Sequence, residues 1–546
     1  MKKIINASLA LALASVTLTG CEDLDNRNMS KYVTTDDKVA TLVMNPDMAM
    51  AGVSGISAAA NQYESVFANH FDFGYASTML GTDLQSDEML CDRTGYNWFN
   101  YWEGFTSPTA GGTPAAEAWY ILYKQIFACN SVSQSIPSDT ETPELMFNRA
   151  QALLTRSFDY WVLAQLFQFN YDGNQSKPCV PIVTDENAVE VEQNGAPRAT
   201  VEETYAQILA DINEAIDLLD KAGLQPSAII SSKPKRFGSL ATAYGQRARI
   251  YLTMHKYAEA AKDARQAITL AEASGIRCKS IAEAGRPSFW SIDETDWMWG
   301  IPVNESDRVV TSGIVNWPSH MNTFCANGYV NVGAWKYLNA DLYAQIPATD
   351  IRKGWFLDEN LHSDNLNSQE LAYCQNQDAP IPPYTNVKFA GYNDVVGATT
   401  NSNDIPLMRL EEMYLIEAEG LAMSGGDGAA ALTAWVSQYR NPSYTCTKSG
   451  TDVQADVYFQ RRIELYGEGL SWFDKMRLNL PVNRIVSNAA PEYAFYVPEQ
   501  GAVKNPDHAL VRIYCIPTGE ITGNRAINES DNNTEYVKPD PATWQP

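Results

Sequence analysis

Histidine is scarce in this chain, with only five residues: His70, His255, His320, His362 and His508. They are scattered, without the close spacing of a zinc site. No HExxH segment occurs, no GxSxG nucleophile elbow, and no glycine-rich phosphate loop following a strand. Those absences remove the commonest signatures of metalloproteases, serine hydrolases and nucleotide-binding enzymes. Basic residues are outnumbered, 40 Lys and Arg against 65 Asp and Glu, for a formal net charge of −25. So acidic a chain repels phosphate backbones and anionic lipid surfaces, which excludes nucleic acid as a partner and favours an uncharged or weakly charged ligand. Beyond its first segment the chain has no apolar run long enough to span a bilayer. Nine cysteines are present, and apart from Cys21 they are Cys91, Cys129, Cys179, Cys278, Cys325, Cys374, Cys446 and Cys515. They lie far apart with no CxxC, so neither a zinc site nor a dense disulfide framework is encoded. An oxidising compartment would allow one or two disulfides, and the spacing does not pair them. The acidic loops lack the ordered ligand spacing of a calcium loop, so no cofactor is expected and a structural calcium has no motif behind it.

The first residues assign a compartment. Lys2 and Lys3 precede an uncharged, largely apolar run from Ile4 to Thr19. That run is shorter than the roughly 20 residues of a spanning helix and reads as a signal peptide, residues 1–20. It closes on Leu18-Thr19-Gly20-Cys21, which resembles the lipobox of bacterial lipoprotein precursors. The resemblance implies that the Cys21 thiol is diacylated and becomes the first mature residue. Two acyl chains anchor stably where one is marginal. Removing the two leader lysines takes the formal charge to −27 (−25 minus 2). Residues 21–40 are acidic and polar and read as a lipid-proximal tether, leaving 41–546 as a single domain.

Helical periodicity is clear in four places. From about Glu144 to Phe167, Ala150, Leu153, Leu154, Phe158, Trp161 and Val162 recur at helical spacing. Thr200 and Glu203 form a capping box ahead of a stripe of Val201, Tyr205, Ile208, Leu209, Ile212, Ala215, Ile216 and Leu219, with Gly223 as the stop. Tyr244, Ala248, Tyr251, Ala260, Ala264 and Ala267 fall at the offsets of a tetratricopeptide helix pair, turning at His255-Lys256-Tyr257. Tyr414, Ala418, Leu421, Ala430 and Ala434 repeat that spacing, turning at Gly425-Gly426-Asp427-Gly428. The pattern predicts an all-α, tetratricopeptide-like α/α superhelix with long irregular loop insertions, at about 70–118, 279–405 and 481–546. Loops of that length in a compact protein are usually functional. Trp297 and Trp299 flank Met298 ahead of Gly300-Ile301-Pro302, which predicts a strand entering the core rather than a site.

These blocks together resemble the SusD/RagB family over nearly the whole chain. Arg149 to Phe158, Leu166-Phe167 and Pro181-Ile182-Val183 look like its first repeat block, and Ala199 to Leu219 its next. Pro406 to Glu419 is the most telling stretch, with Glu411 where the family usually carries Ala in an Arg-Leu-Ala-Glu core. Arg461-Arg462-Ile463-Glu464-Leu465, Gly467-Glu468-Gly469 and Asp474 resemble the late charged helix. Ile516-Pro517, Glu520, Asn524 and Asn528 resemble the C-terminal signature. The resemblance implies a glycan-binding lipoprotein that is not an enzyme. It sits on the cell surface at the outer membrane and passes oligosaccharide to a SusC-like, TonB-dependent transporter, the expected protein partner. The early acidic residues Glu22, Asp23 and Asp25 resemble the surface-export signal of relatives.

Sugar recognition needs flat aromatic faces for the C–H side of a pyranose and polar side chains for its hydroxyls. In the family, ligand residues come from an early aromatic loop and from the middle insertion. The first place here holds Asp92, Arg93, Tyr96, Asn97, Trp98, Asn100 and Trp102, and the second holds Asn316, Trp317 and Tyr329. Arg409 with Glu417 or Glu419, and Arg461 or Arg462 with Glu464 and Asp474, are expected to be structural ion pairs. Two alternatives stay open. A secreted glycoside hydrolase would need two carboxylates about 5 to 10 Å apart, which so acidic a chain can supply. A pure scaffold would bind the transporter and ignore glycans.

Overall fold

The computed structural model describes residues 47–91, 95–103, 109–483, 502–503 and 513–535. The signal peptide, Cys21 and its tether, Asp92 and Arg93 lie outside the described residues. The repeat helices follow their sequence signals closely. Helix α1 spans Asp47–Ala59, α2 Tyr75–Gln85, α3 Thr113–Ser135, α4 Pro143–Phe167 and α5 Val201–Ala222. In α5 the Thr200 hydroxyl accepts from the Glu203 backbone N–H at 3.2 Å and the Glu203 carboxylate accepts from the Thr200 N–H at 2.8 Å. Gly223 then takes φ 62°, a left-handed cap that a side chain would strain. The predicted stripe of α5 is buried against α4 apart from the half-buried Leu209.

Helices α6 (Leu240–Thr253) and α7 (Tyr257–Ala273) form the next pair, with His255 at φ 57° in the turn between them. Ala248, Ala260, Ala264 and Ala267 are buried, so small residues do line the contact between these helices. Helices α9 (Leu410–Met423) and α10 (Gly428–Tyr439) make the last pair, and α7 packs against α9. Between the pairs lies a one-turn helix, α8 (Trp317–Met321). After them come α11 (Val453–Glu464) and α12 (Ser471–Arg477). The chain is all-α in its core, as its periodicity predicts.

The insertions are less irregular than expected. Helix α2 lies inside 70–118 with every residue buried, and α3 begins there as well. Three short antiparallel ladders tie distant segments together. Strand β1 (Met89–Cys91) pairs with β3 (Lys336–Leu338), with Met89 opposite Leu338 and Cys91 opposite Lys336. Strand β2 (Trp297–Ile301) pairs with β4 (Ile405–Arg409), so Trp297 and Trp299 do enter the core. Strand β5 (Val482–Asn483) pairs with β6 (Ala502–Val503).

A buried ionic network welds the C-terminal repeats together. Arg409 holds Glu468 through two bonds, at 2.8 and 2.7 Å, and reaches Glu464 at 3.1 Å and Asp296 at 3.2 Å. Arg440 holds Glu464 twice at 2.8 Å and Glu411 at 3.0 Å. The unusual Glu411 thus has a cationic partner in the core. Arg461 meets Asp474 at 2.7 Å, one of the expected pairs. The other expected pairings are exchanged: Glu417 binds Arg265, Glu419 binds Arg477, and Arg462 binds Asp87 and Glu88. All are structural, because each joins one helix or segment to another. The eight cysteines among the described residues are buried, and Cys129, Cys179, Cys278, Cys325, Cys374 and Cys446 carry free thiols.

Candidate functional site

The β1–β3 ladder explains how two remote aromatic segments meet. Because the strands are antiparallel, the chain leaves β1 at the end where it enters β3. Residues 95–103 and the segment from α8 to Trp335 therefore emerge side by side. A third segment, 63–73, lies against them through His70 and Phe71 and is turned on itself by Asp72. That buried carboxylate accepts the backbone N–H groups of Val66 at 2.6 Å and Phe67 at 2.7 Å, and the Ser65 hydroxyl at 3.3 Å.

The three segments converge on Trp98. Its ring lies 4.6 Å from the imidazole of His70, tilted by 32°, and 6.1 Å from the ring of Tyr329, edge-on at 69°. The Tyr329 hydroxyl is hydrogen-bonded to His70 Nδ1. His320 stacks on Tyr329 at 4.6 Å, and its Nε2 lies 3.0 Å from the His70 carbonyl. Burial and the Lys336 ammonium hold the His320 imidazole well below the usual range, so it is neutral and donates from Nε2 to that carbonyl. Trp98 and His70 are half-buried, while Tyr96, Tyr101 and Asn100 are exposed. Tyr96 is 51% exposed and Tyr101 40%, large values for tyrosine rings near a folded body. Trp98, His70 and Tyr329 form an aromatic ledge, with the exposed Tyr96, Asn100 and Tyr101 on the same short loop as Trp98.

The other sequence candidates are committed to the fold. Trp102, 1% exposed, packs between Phe71 and Phe99. Asn97 is buried, donating to Glu103 at 2.7 Å and accepting from the Phe99 N–H at 3.2 Å. Asn316 caps α8, accepting from the Ser319 N–H at 3.0 Å and donating to the Val309 carbonyl at 2.9 Å. Trp317, 2% exposed, meets Phe389 edge-on at 4.9 Å. None of these four offers a ring face or amide to solvent. Their rings and amides hold the loops in shape. Tyr329 is also buried, and reaches the ledge only as the edge that supports Trp98. His70 and Tyr101 were not singled out from sequence. An isolated histidine carries no spacing, and Tyr101 differs in no pattern from its neighbours.

Chemically, the ledge can stack and hydrogen-bond. The nearby carboxylates have structural duties, Asp72 in its turn and Glu103 on Asn97. No group of metal-ligating side chains is found among the described residues.

A family described as starch-binding and associating with the outer membrane matches residues 59–252, and the SusD family matches residues 321–536. The chain belongs to the SusD/RagB family. The first match contains the Trp98 segment and the second contains Tyr329, so the ledge is built from both. Among solved structures, a SusD-like carbohydrate binding protein from Bacteroides vulgatus superposes with a TM-score of 0.70 at 20% identity, covering 89% of this chain and 97% of that one. A laminarin binding SusD-like protein gives 0.60 at 18% identity, covering 90% and 99%. Surface glycan-binding protein A from Bacteroides uniformis gives 0.60 at 15%, covering 88% and 99%. At such identities the superpositions establish the SusD-like fold. No curated protein sequence matches the chain. Among the described residues no helix is long and apolar enough to cross a membrane.

Proposed function

We propose that this protein is a cell-surface glycan-binding lipoprotein that delivers oligosaccharide to a SusC-like, TonB-dependent outer-membrane transporter. Residues 1–20 are the leader, Cys21 carries the lipid, residues 21–40 are the tether and 41–546 form one binding domain. The observation that carries the reading is the ledge. Trp98 is braced by His70 and Tyr329, with Tyr96, Tyr101 and Asn100 exposed on the same short loop. A half-exposed indole held in place suits the apolar face of a pyranose, and the Asn100 amide suits its hydroxyls. Asp92 and Arg93 would add charged hydrogen-bond partners to the same loop. The printed names of the laminarin binding and surface glycan-binding relatives support the same chemistry. Delivery to a transporter and residence at the outer membrane rest on family membership. The protein binds its ligand without altering it. Modest affinity suffices, because anchoring beside a transporter raises the local concentration.

Affinity gel electrophoresis of the mature chain without Cys21, against plant and host polysaccharides, tests this reading. Retardation by a glycan whose chain length stays constant supports it, and Trp98→Ala should abolish the retardation. Progressive shortening of the glycan would identify a hydrolase instead. Indifference to every glycan, with retained binding to the transporter, would identify a scaffold.

A further inference from the structure

Glycan binding, as proposed above, would require the ledge to hold one shape before the sugar arrives. We infer that His70 is the residue that sets that shape. It backs one face of Trp98 and accepts the Tyr329 hydroxyl at Nδ1, which leaves the opposite indole face to the sugar. The inference rests on the proposed function for its ligand and on geometry for the rest.

His70 is the meeting point of the three segments. Its backbone N–H donates to Asn69 Oδ1 at 2.7 Å, and its carbonyl accepts from His320 at 3.0 Å. Its backbone is thereby fixed on both sides. Its ring then touches Trp98 from the early loop and Tyr329 from the middle insertion. Burial pushes the Tyr329 hydroxyl up to about 12, against the opposing pull of the Trp98 indole N–H, so the phenol keeps its proton. A protonated phenol beside an imidazole nitrogen donates to it, since that nitrogen is the better acceptor. His70 is then the tautomer with its proton on Nε2. A ring that served only as packing could be replaced by any flat apolar ring. A ring that also accepts a proton could not, because the buried Tyr329 hydroxyl would lose the acceptor for its proton.

Three variants separate these roles: His70→Phe keeps the flat face and loses the acceptor, His70→Asn keeps an acceptor near the Nδ1 position, and Tyr329→Phe removes the donor. The protein is labelled with 5-fluorotryptophan, and the Trp98 fluorine resonance is assigned by its loss in Trp98→Phe. His70→Phe and Tyr329→Phe should each shift or broaden that resonance and weaken glycan retardation by about tenfold, the scale of lost preorganisation. The double variant should be no worse than either single one. His70→Asn, which restores the acceptor without the backing ring, should retain more of the binding than His70→Phe does. Wild-type resonance and affinity in both His70→Phe and Tyr329→Phe would overturn the inference. If no glycan binds the wild-type chain while the resonance still answers to these changes, the proposed function fails and the positioning role of His70 stands.

Discussion

The repeat helices and the insertions are held together by partly different chemistry. Helix meets helix through charge: Arg156 on α4 grips Asp211 on α5 with two bonds of 2.8 and 2.7 Å, and Arg409 and Arg440 bind the carboxylates around α11. The insertions share in such pairs, through Arg352 and Lys388 for example, and add a set of side-chain amides that donate to backbone carbonyls. Asn322 donates to Ala390 at 2.6 Å, Asn386 to Lys336 at 3.0 Å, Asn401 to Asn327 at 2.8 Å and Asn403 to Ala390 at 2.9 Å. A helix satisfies its own backbone and can spend side chains on its neighbours. A buried loop cannot, so asparagine supplies the partners its carbonyls lack. The asparagine enrichment of residues 279–405, which in sequence resembles a sugar-binding composition, is to a large extent this internal need.

The largest effect should come from breaking the ionic side. Arg409→Met would leave Glu468, Glu464 and Asp296 buried without their shared cation, a loss of about 3–5 kcal/mol in urea denaturation. A variant of wild-type stability would mean that the neighbouring cations suffice. Next comes pH. Burial pushes Asp83 up to about 8, against the Gly469 N–H that donates to it at 3.0 Å. A carboxyl raised above its unfolded value of 3.8 stabilises the fold fully at low pH, where both states are protonated. That contribution is lost as pH rises through about 8. Asp83→Asn should therefore gain on the wild type as pH rises from about 4 to about 8, by up to about 1.4 kcal/mol per pH unit, and no further above that. Parallel stability curves for the two proteins would exclude it. On the amide side, Asn322→Leu should cost about 2 kcal/mol by leaving the Ala390 carbonyl with one partner fewer. Hydrogen exchange should show the damage in the insertion, with the α4–α5 pair unaffected. Smallest is Gly81→Ala in α2, where an added Cβ would lie 2.2 Å from the Trp102 indole nitrogen. Overpacking there should cost about 1–2 kcal/mol in thermal melts by displacing Trp102 from its place between Phe71 and Phe99.

The same contrast explains what could be read in advance. Helices with one wet face announce themselves, which is why α5 and α7 follow Ile208 and Ala264 so well, while α4, buried along nearly its whole length, is long enough for the apolar spacing around Leu153 to show. Helix α2 has no wet face: Ser77, Thr78, Thr82 and Asp83 are as buried as Met79 and Leu80, so it carries no periodicity to find. In the site, composition could not separate Trp98 from Trp102 or Asn100 from Asn97. All four sit within one short loop, and their exposure depends on contacts with residues far away in sequence. His70 was silent for the same reason, since its meaning lies wholly in Trp98, Tyr329 and His320.

The β1–β3 ladder also has a kinetic consequence. It joins Cys91 to Lys336, so the intervening chain, including α3 to α7, forms one very long closed loop. Closing such a loop before its interior is ordered is entropically unfavourable, whereas each helix pair closes over a short turn. The order of assembly should therefore be repeats first and ledge last. In refolding, the fluorine signal of Trp98 should reach its native position only after the helical circular dichroism has recovered. A newly made chain would then be a folded helical body for some time before its ledge took shape.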